Sequence, residues 1–119
     1  PILDFFGPDT LIPDSPISTS FRHYKINGTI KGSIIQTDIR TSEKYDLGTF
    51  SHMTGNTSTY EHGTFCSPIM DYRSTEIIWR CGEKNHFGTV TEPSTCKYLI
   101  HAELVCCEEI AGKFFWDIL

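Results

Sequence analysis

The chain has 119 residues and a net charge of -5, with 39% hydrophobic and 13% aromatic residues. This length suits one domain, residues 1–119, and the aromatic content supplies core material that disordered chains lack. The negative charge argues against nucleic-acid binding, and no apolar stretch approaches the roughly 20 residues that span a bilayer, so no membrane partner is expected.

The N-terminal third predicts an arm followed by a hairpin. Residues 1–16 contain four of the six prolines and predict an extended N-terminal arm. Residues 20–26 and 29–35 are apolar-rich runs on either side of Asn27-Gly28. Because Asn-Gly between two such runs is a strong signal for a two-residue turn, we expect a β-hairpin here.

The middle of the chain predicts short strands. Residues 46–50 resemble a strand with a glycine break, whereas residues 51–58 are polar and predict a loop. Residues 60–66 predict a strand with a bulge at Gly63, since an isolated glycine in a strand often marks a bulge.

The C-terminal half alternates more regularly. Residues 76–81 predict a strand and residues 82–88 a turn. From residue 97 to residue 105 the apolar residues recur with period two, which predicts a strand with Tyr98, Ile100, Ala102 and Leu104 on one face. Residues 108–119 fit a short helix or a strand, and we expect Phe114, Phe115 and Trp116 to dock on the body. The pattern predicts an all-β fold, a sandwich or flattened β-barrel of short strands.

The cysteines and sequons indicate the secretory pathway. Five cysteines in so short a chain suggest an oxidising compartment, and the odd count leaves one over. Cys106 and Cys107 are adjacent, so each is expected to seek a distant partner. Asn27 in N-G-T and Asn56 in N-T-S are candidate glycosylation sites. The chain begins with proline, so we expect a processed chain or an excised domain.

Metal and catalytic sites are poorly supported. Cys66, Cys81 and Cys96 are 15 residues apart, without the close Cys or His pairs of a zinc site, so neither metal nor cofactor is expected. A cysteine nucleophile needs a free thiolate, whereas these cysteines are expected in disulfides. Nothing in the spacing pairs two carboxylates for glycoside hydrolysis. We therefore expect no enzymatic activity.

Three polar residues beside cysteines carry the functional hypothesis. Arg73 precedes Cys81, Glu92 opens E-P-S-T-C, and Tyr98 follows Cys96 by two residues. An ordinary interpretation is a surface charge, a turn residue and a core aromatic. The alternative is a guanidinium donor, a carboxylate acceptor and a hydroxyl that, with an amide such as Gln36, bracket neighbouring sugar hydroxyls.

The ordered motifs favour that alternative. Residues 60–66 read Y-x-x-G-x-x-C, Arg73 precedes C-G, and Glu92 to Tyr98 read E-P-x-x-C-x-Y before the closing Cys106. This set resembles the mannose 6-phosphate receptor homology (MRH) family, most closely its glucosidase II beta subunit branch. The resemblance is dense over residues 45–106.

The resemblance implies a disulfide-stabilised, flattened β-barrel lectin. It implies that Arg73, Glu92 and Tyr98 bind mannose, with Gln36 as a fourth residue placed by approximate spacing alone. It also implies the disulfides Cys66–Cys96 and Cys81–Cys106, with Cys107 as the alternative partner of Cys81. The implied function is non-catalytic binding of terminal mannose on high-mannose N-glycans in the endoplasmic reticulum lumen, in support of glucose trimming by a catalytic glucosidase II alpha subunit.

The sequence departs from the family in three ways. It lacks a cysteine pair before Cys66, it has Ser67 where an aromatic residue often stands, and its extra cysteine at position 106 or 107 has no family role. Three alternatives stay open: an ER-degradation or phosphomannose lectin of the same family, a protein-interaction module with an unused pocket, and an enzyme. The cations Lys84 and His86 are few for a phosphate site.

Overall fold

The chain is almost entirely β-strand. The computed structural model describes residues 2–5, 14–104, 107–110 and 113–118, with side chains for residues 14–104. Within these ranges no helix has the length and apolarity needed to cross a membrane. Within the same described ranges, a 3-10 turn at Ser67–Ile69 accompanies the strands. The strands are β1 (Ile2–Phe5), β2 (Pro16–Phe21), β3 (Tyr24–Thr29), β4 (Ser33–Asp38), β5 (Lys44–Thr54), β6 (Thr57–Glu61), β7 (Phe65–Cys66), β8 (Asp71–Tyr72), β9 (Ser74–Cys81), β10 (His86–Ser94), β11 (Lys97–Leu104), β12 (Cys107–Ile110) and β13 (Lys113–Ile118).

Eight strands form one curled sheet. Its order is β10-β11-β9-β6-β5-β4-β3-β2, and β9 and β11 are parallel whereas the other neighbours are antiparallel. The two edge strands β10 and β2 come into contact, so the sheet nearly closes into a barrel. The predicted all-β, barrel-like fold is confirmed.

A small sheet lies outside the barrel. It has the order β1-β13-β12, so residues Ile2–Phe5 at the start of the chain pair with β13. Of the two alternatives for residues 108–119, the structure has strands. The side chains of Phe114, Phe115 and Trp116 lie outside the described residues, so their docking stays a prediction.

The predicted turn at Asn27-Gly28 is wrong. Strand β3 runs through both residues, and the turns lie at residues 22–23 and residues 30–32. Gly28 serves a close approach of backbones, since an added Cβ would lie only 2.2 Å from the backbone oxygen of Ser33. Glycine is favoured in tight turns and also where two backbone segments approach closely. Gly28 is an example of the close approach.

The predicted loop over residues 51–58 is also wrong. Strand β5 continues to Thr54 and β6 starts at Thr57, so Gly55 and Asn56 alone form the turn. Met53 and Ser58 are directly opposed and buried, and the polar residues between them lie largely on the outward face. A one-sided strand exposes many polar residues, which is why this segment resembled a loop.

The remaining predictions differ mainly in their boundaries. Strands β9 and β11 confirm the predictions for residues 76–81 and 97–105, and all four residues predicted on one face of β11 are buried. The turn predicted at residues 82–88 is shorter, because β10 begins at His86. The strand predicted over residues 60–66 is divided into β6 and β7 around a buried Gly63.

The barrel interior contains a chain of buried hydrogen bonds. Trp79 Nε1 donates to Ser58 Oγ (2.8 Å), and Ser58 Oγ donates to the Tyr60 hydroxyl (3.2 Å). The Tyr60 hydroxyl donates to the backbone oxygen of Ile30 (2.6 Å). Burial raises the pKa of Tyr60 to about 12. The polar atoms are satisfied where water cannot reach them, so aromatic side chains fill the core without a desolvation penalty for their polar ends.

Candidate functional site

The four predicted site residues lie on different parts of the barrel. Gln36 lies in β4, Glu92 in β10 and Tyr98 in β11. Arg73 is the residue between β8 and β9. The four residues therefore come from distant segments of the sequence, and only the curvature of the sheet can bring their side chains near one another.

Arg73 is anchored by the backbone before Cys66. Its Nη1 donates to the backbone oxygens of Thr64 (3.2 Å) and Phe65 (3.1 Å). Its guanidinium carbon lies 4.5 Å from the ring centroid of Tyr45, a cation–π contact. Its Nε is buried and has no hydrogen-bond partner. The guanidinium is held in place with one donor still unused.

A disulfide joins the segment that holds Arg73 to the segment that holds Tyr98. Cys66 is bonded to Cys96, the pair that the resemblance implied. Cys81 is also disulfide-bonded. Its predicted partner Cys106 lies outside the described residues, as does the side chain of Cys107, so the choice between them stays a prediction.

Glu92 is aimed by an irregularity in β10. The register between β10 and β11 shifts between Thr91 and Ser94, and such bulges redirect side chains. Glu92 Oε2 accepts the backbone N–H of Cys96 at 2.8 Å. Its other oxygen, Oε1, lies 3.8 Å from Nη1 of Arg22. One carboxylate oxygen therefore positions the Cys96 turn, and the other has only a long, half-solvated ion pair.

Tyr98 lies where the other charges meet. Its side chain is buried on the inner face of β11. Burial raises the pKa of the Tyr98 hydroxyl, hydrogen bonding to Arg73 lowers it, and the Glu92 carboxylate raises it further. The Cys66–Cys96 disulfide joins the segments that carry these residues. Arg73 donates to the backbone oxygen of Phe65, Glu92 accepts the N–H of Cys96, and Tyr98 follows Cys96 by two residues.

Gln36 is a neighbour of this group but does not touch it. Its Oε1 is buried and has no hydrogen-bond partner among the described residues. It pairs across the sheet with Tyr45, the residue whose ring contacts Arg73. Tyr45 therefore links Gln36 to the other three residues.

Three further residues belong to this neighbourhood and were missed. Tyr45 supports the Arg73 guanidinium, Arg22 pairs with Glu92, and Tyr24 raises the pKa of Tyr98. Arg22 has φ 56°, a left-handed conformation in a two-residue turn. Tyr45 could have been noticed in the sequence, because it is the first residue of the segment that resembles the MRH family. The roles of Arg22 and Tyr24 could not, because these residues reach the site only when β2 closes against β10.

The site has the chemistry of a neutral polar ligand. Gln36 Oε1 is an unused acceptor and Arg73 Nε an unused donor, and both are buried, where unsatisfied groups are costly. A hydroxyl can serve both because it donates and accepts. Among the described residues, no three His, Cys, Asp or Glu side chains could hold a metal ion.

A polar cavity lies beside the segment that holds Arg73. It has a volume of about 230 Å³ and is lined by Glu61, His62, Asp71, Tyr72, Ser74 and Lys97. Tyr72 and Ser74 are the chain neighbours of Arg73, and Lys97 precedes Tyr98. Arg73 itself does not line this cavity.

Comparisons with known proteins identify the family and similar solved structures. A family model described as "Glucosidase II beta subunit-like protein" matches residues 6–114. A crystal structure of the MRH domain of glucosidase II beta bound to mannose is similar at 26% identity and TM-score 0.64, over 75% of this chain and 87% of that one. A solution structure of the same kind of domain with a tryptophan-to-alanine mutation has 26% identity and TM-score 0.65, over 78% of this chain and 92% of that one. A search of curated protein sequences found no match.

Proposed function

The chain belongs to the glucosidase II beta subunit-like family, and on this premise we propose that residues 1–119 form a single lectin domain that binds terminal mannose of high-mannose N-glycans. Residues 1–16 are its N-terminal arm. The observation that carries the proposal is the placement of Arg73 and Glu92 by hydrogen bonds on either side of the Cys66–Cys96 disulfide, whose second cysteine lies two residues before Tyr98. Unsatisfied buried atoms on Arg73 and Gln36 support it.

The proposed roles follow from donor and acceptor chemistry. Arg73 and Gln36 hold the axial 2-hydroxyl, because a guanidinium donates and an amide oxygen accepts. Glu92 and Tyr98 hold the 3- and 4-hydroxyls of the sugar. The Glu92 carboxylate accepts hydrogen bonds from these two hydroxyls. Mannose differs from glucose only in the inversion at the 2-hydroxyl, so the pair that reads this group sets the selectivity.

The expected affinity for a monosaccharide is low. A neutral sugar brings no charge and little apolar area, and binding must offset lost translational freedom, so the dissociation constant is roughly millimolar. Useful affinity then requires several mannose ends or a second attachment through the parent protein.

The proposed cellular role is regulatory. The domain recruits mannose-rich glycoproteins so that a catalytic alpha subunit trims their glucose in the endoplasmic reticulum lumen. The domain itself takes no part in bond cleavage. The match to the glucosidase II beta subunit-like family and the similarity to a mannose-bound MRH domain of glucosidase II beta support this role. Between residues 82 and 91 the basic side chains are Lys84 and His86, which are few for a phosphate site and speak against phosphomannose as the ligand.

Sugar titration tests the proposal. The domain is titrated with methyl α-mannoside, methyl α-glucoside and mannose 6-phosphate, together with Arg73→Ala. Arg80→Ala is the matched control, because Arg80 lies in β9, the strand that follows Arg73, with its side chain 73% exposed. We expect mannose binding that Arg73→Ala abolishes and Arg80→Ala retains, both with native thermal unfolding.

Each of the other outcomes would assign the protein to a different functional class. Tighter binding of the phosphorylated sugar would move it to the phosphomannose lectins. No binding of any sugar by the folded wild-type domain would refute the lectin proposal and favour a protein-interaction module. Turnover of a mannoside or glucoside reporter would refute the non-catalytic assignment.

A further inference from the structure

We propose that Asn27 carries an N-linked glycan whose first sugar lies in a cavity on the outer face of β3, β4 and β5, and that Asn56 is not modified. This rests on the secretory location of the proposed function. The two sequons are equivalent as motifs. The structure distinguishes them.

Asn27 presents its side chain to solvent. It lies in β3 between the fully buried Ile26 and the inward-facing Gly28, so strand alternation directs its amide outward. It is directly opposite Ile35 of β4, which is opposite Asp46 of β5. Asn27 and Thr29, the acceptor and the hydroxyl of the sequon, are both exposed.

A cavity lies immediately beside Asn27. Its volume is about 400 Å³, within the range of ligand pockets, and Asn27 itself is part of its lining, with Ile35, Thr37, Lys44, Tyr45 and Asp46. The concavity coincides with an irregular register between β4 and β5.

The lining of the cavity suits an amphipathic ring. Ile35, directly opposite Asn27 on β4, offers an apolar surface. Lys44 adds a hydrogen-bond donor and Asp46 an acceptor. Lys44 Nζ already donates to Thr37 Oγ1 at 3.2 Å, so its ammonium is directed along this face. A sugar attached to Asn27 begins at the cavity, so little chain entropy opposes its docking.

Asn56 has the opposite environment. Its Nδ2 donates to the backbone oxygen of Trp79 (3.2 Å), and its own backbone oxygen accepts from Trp79 N (2.8 Å). The sequon hydroxyl belongs to Ser58, which is fully buried and accepts the Trp79 indole N–H. A glycan on Nδ2 would replace an amide hydrogen and place a sugar against β9. Attachment there and native folding therefore compete.

Site occupancy is the first test. The whole chain, directed by an added secretion signal, is expressed in glycosylating cells, and peptide mass spectrometry measures both sequons. We expect high occupancy at Asn27, none at Asn56, and an unglycosylated protein from Thr29→Ala. Comparable occupancy at Asn56, or an empty Asn27 in secreted protein, would overturn the assignment. Because mass reports occupancy without sugar binding, this failure is distinct from failure of the lectin proposal.

Thermal unfolding of trimmed forms tests the cavity. An endoglycosidase leaves one N-acetylglucosamine on Asn27, and an amidase removes the glycan entirely. The one-sugar form should keep the melting temperature of the full glycoprotein, and the sugar-free form should melt lower by roughly 3 °C, as Thr29→Ala should. Lys44→Ala should shrink this difference, whereas Lys25→Ala, an exposed lysine in β3 outside the cavity lining, should not. Equal melting of one-sugar and sugar-free forms would overturn docking in the cavity.

Discussion

Tyr98→Phe separates sugar binding from folding more cleanly than any other substitution at the site. It removes a single hydroxyl and keeps the aromatic ring, which is 7% exposed and packs in the barrel core. The hydroxyl lies among Arg73 and Glu92, which shift its pKa in opposite directions. In the proposed complex it bonds the sugar.

The magnitude follows from hydrogen bonding beside charged groups. Such a bond contributes about 1.5–3 kcal/mol, which corresponds to a rise in the dissociation constant of roughly 10- to 150-fold. From a millimolar starting value, binding of methyl α-mannoside would become barely measurable. The fold should change by no more than about 1 kcal/mol, because the ring packing is retained and only one hydroxyl is lost.

Chemical-shift titration by NMR is the suitable assay, because it measures millimolar binding and reports the fold in the same spectra. Tyr72→Phe is the matched control: it removes the same atom from a ring that is 51% exposed and lies in the separate β7-β8 sheet. A folded Tyr98→Phe that binds within twofold of the wild-type domain would refute the assigned role of Tyr98. Equal losses in Tyr98→Phe and Tyr72→Phe would refute the location of the site.

Further predictions concern a buried amide, a glycine and a buried phenol. Gln36→Leu should abolish mannose binding and raise the free energy of unfolding by about 1 kcal/mol, because it removes an unsatisfied buried oxygen, whereas Thr37→Val on the opposite face should retain binding. Gly63→Ala should destabilise the fold by about 2 kcal/mol, because its Cβ would lie 2.3 Å from the backbone oxygen of Asp46; Gly88→Ala, with its nearest contact at 3.4 Å, should be nearly neutral in thermal denaturation. Since burial raises the pKa of Tyr60 to about 12, its stabilisation is complete below pH 10 and about 3 kcal/mol is lost as the pH rises through 12, as denaturant titrations at successive pH values should record.

Each of these predictions has a contrary result. Mannose binding by Gln36→Leu at wild-type strength would remove Gln36 from the site. A Gly63→Ala domain as stable as Gly88→Ala would contradict the close backbone packing. A Tyr60→Phe domain should lose less stability between pH 10 and 12 than the wild-type domain; an identical slope would assign alkaline unfolding to other groups.

The parts of the fold that the sequence predicted are those where local pattern and burial agree. Strand β11 is the clearest case: Tyr98, Ile100, Ala102 and Leu104 recur with period two, and all are buried. The prediction of a turn at Asn27-Gly28 was wrong because it used only the local sequence. The conformation there depends on a close contact between Gly28 and the backbone of Ser33 on a neighbouring strand. Propensity cannot anticipate a contact that forms only when strands pair.

The same distinction applies to the site. Arg73, Glu92 and Tyr98 were predicted because cysteine motifs place them at fixed offsets along the chain, and the Cys66–Cys96 disulfide joins the segments that carry them. The contact of Arg22 with Glu92 could not be predicted, because it depends on how the sheet curls until β2 meets β10. Sequence spacing constrains neighbours along the chain, but it does not determine which strands close a barrel.

The buried hydrogen bonds among Trp79, Ser58 and Tyr60 also favour the native register of the strands that they connect. They connect β9, β6 and the turn after β3, so they can form only when all three segments are correctly aligned. A slip of one residue between β6 and β9 would turn Ser58 and Trp79 to opposite faces and leave an indole N–H buried alone, at a cost of about 1–3 kcal/mol. This penalty adds to the loss of apolar burial that any strand slipped by one residue incurs, so the polar groups of the core strengthen the preference for the native register.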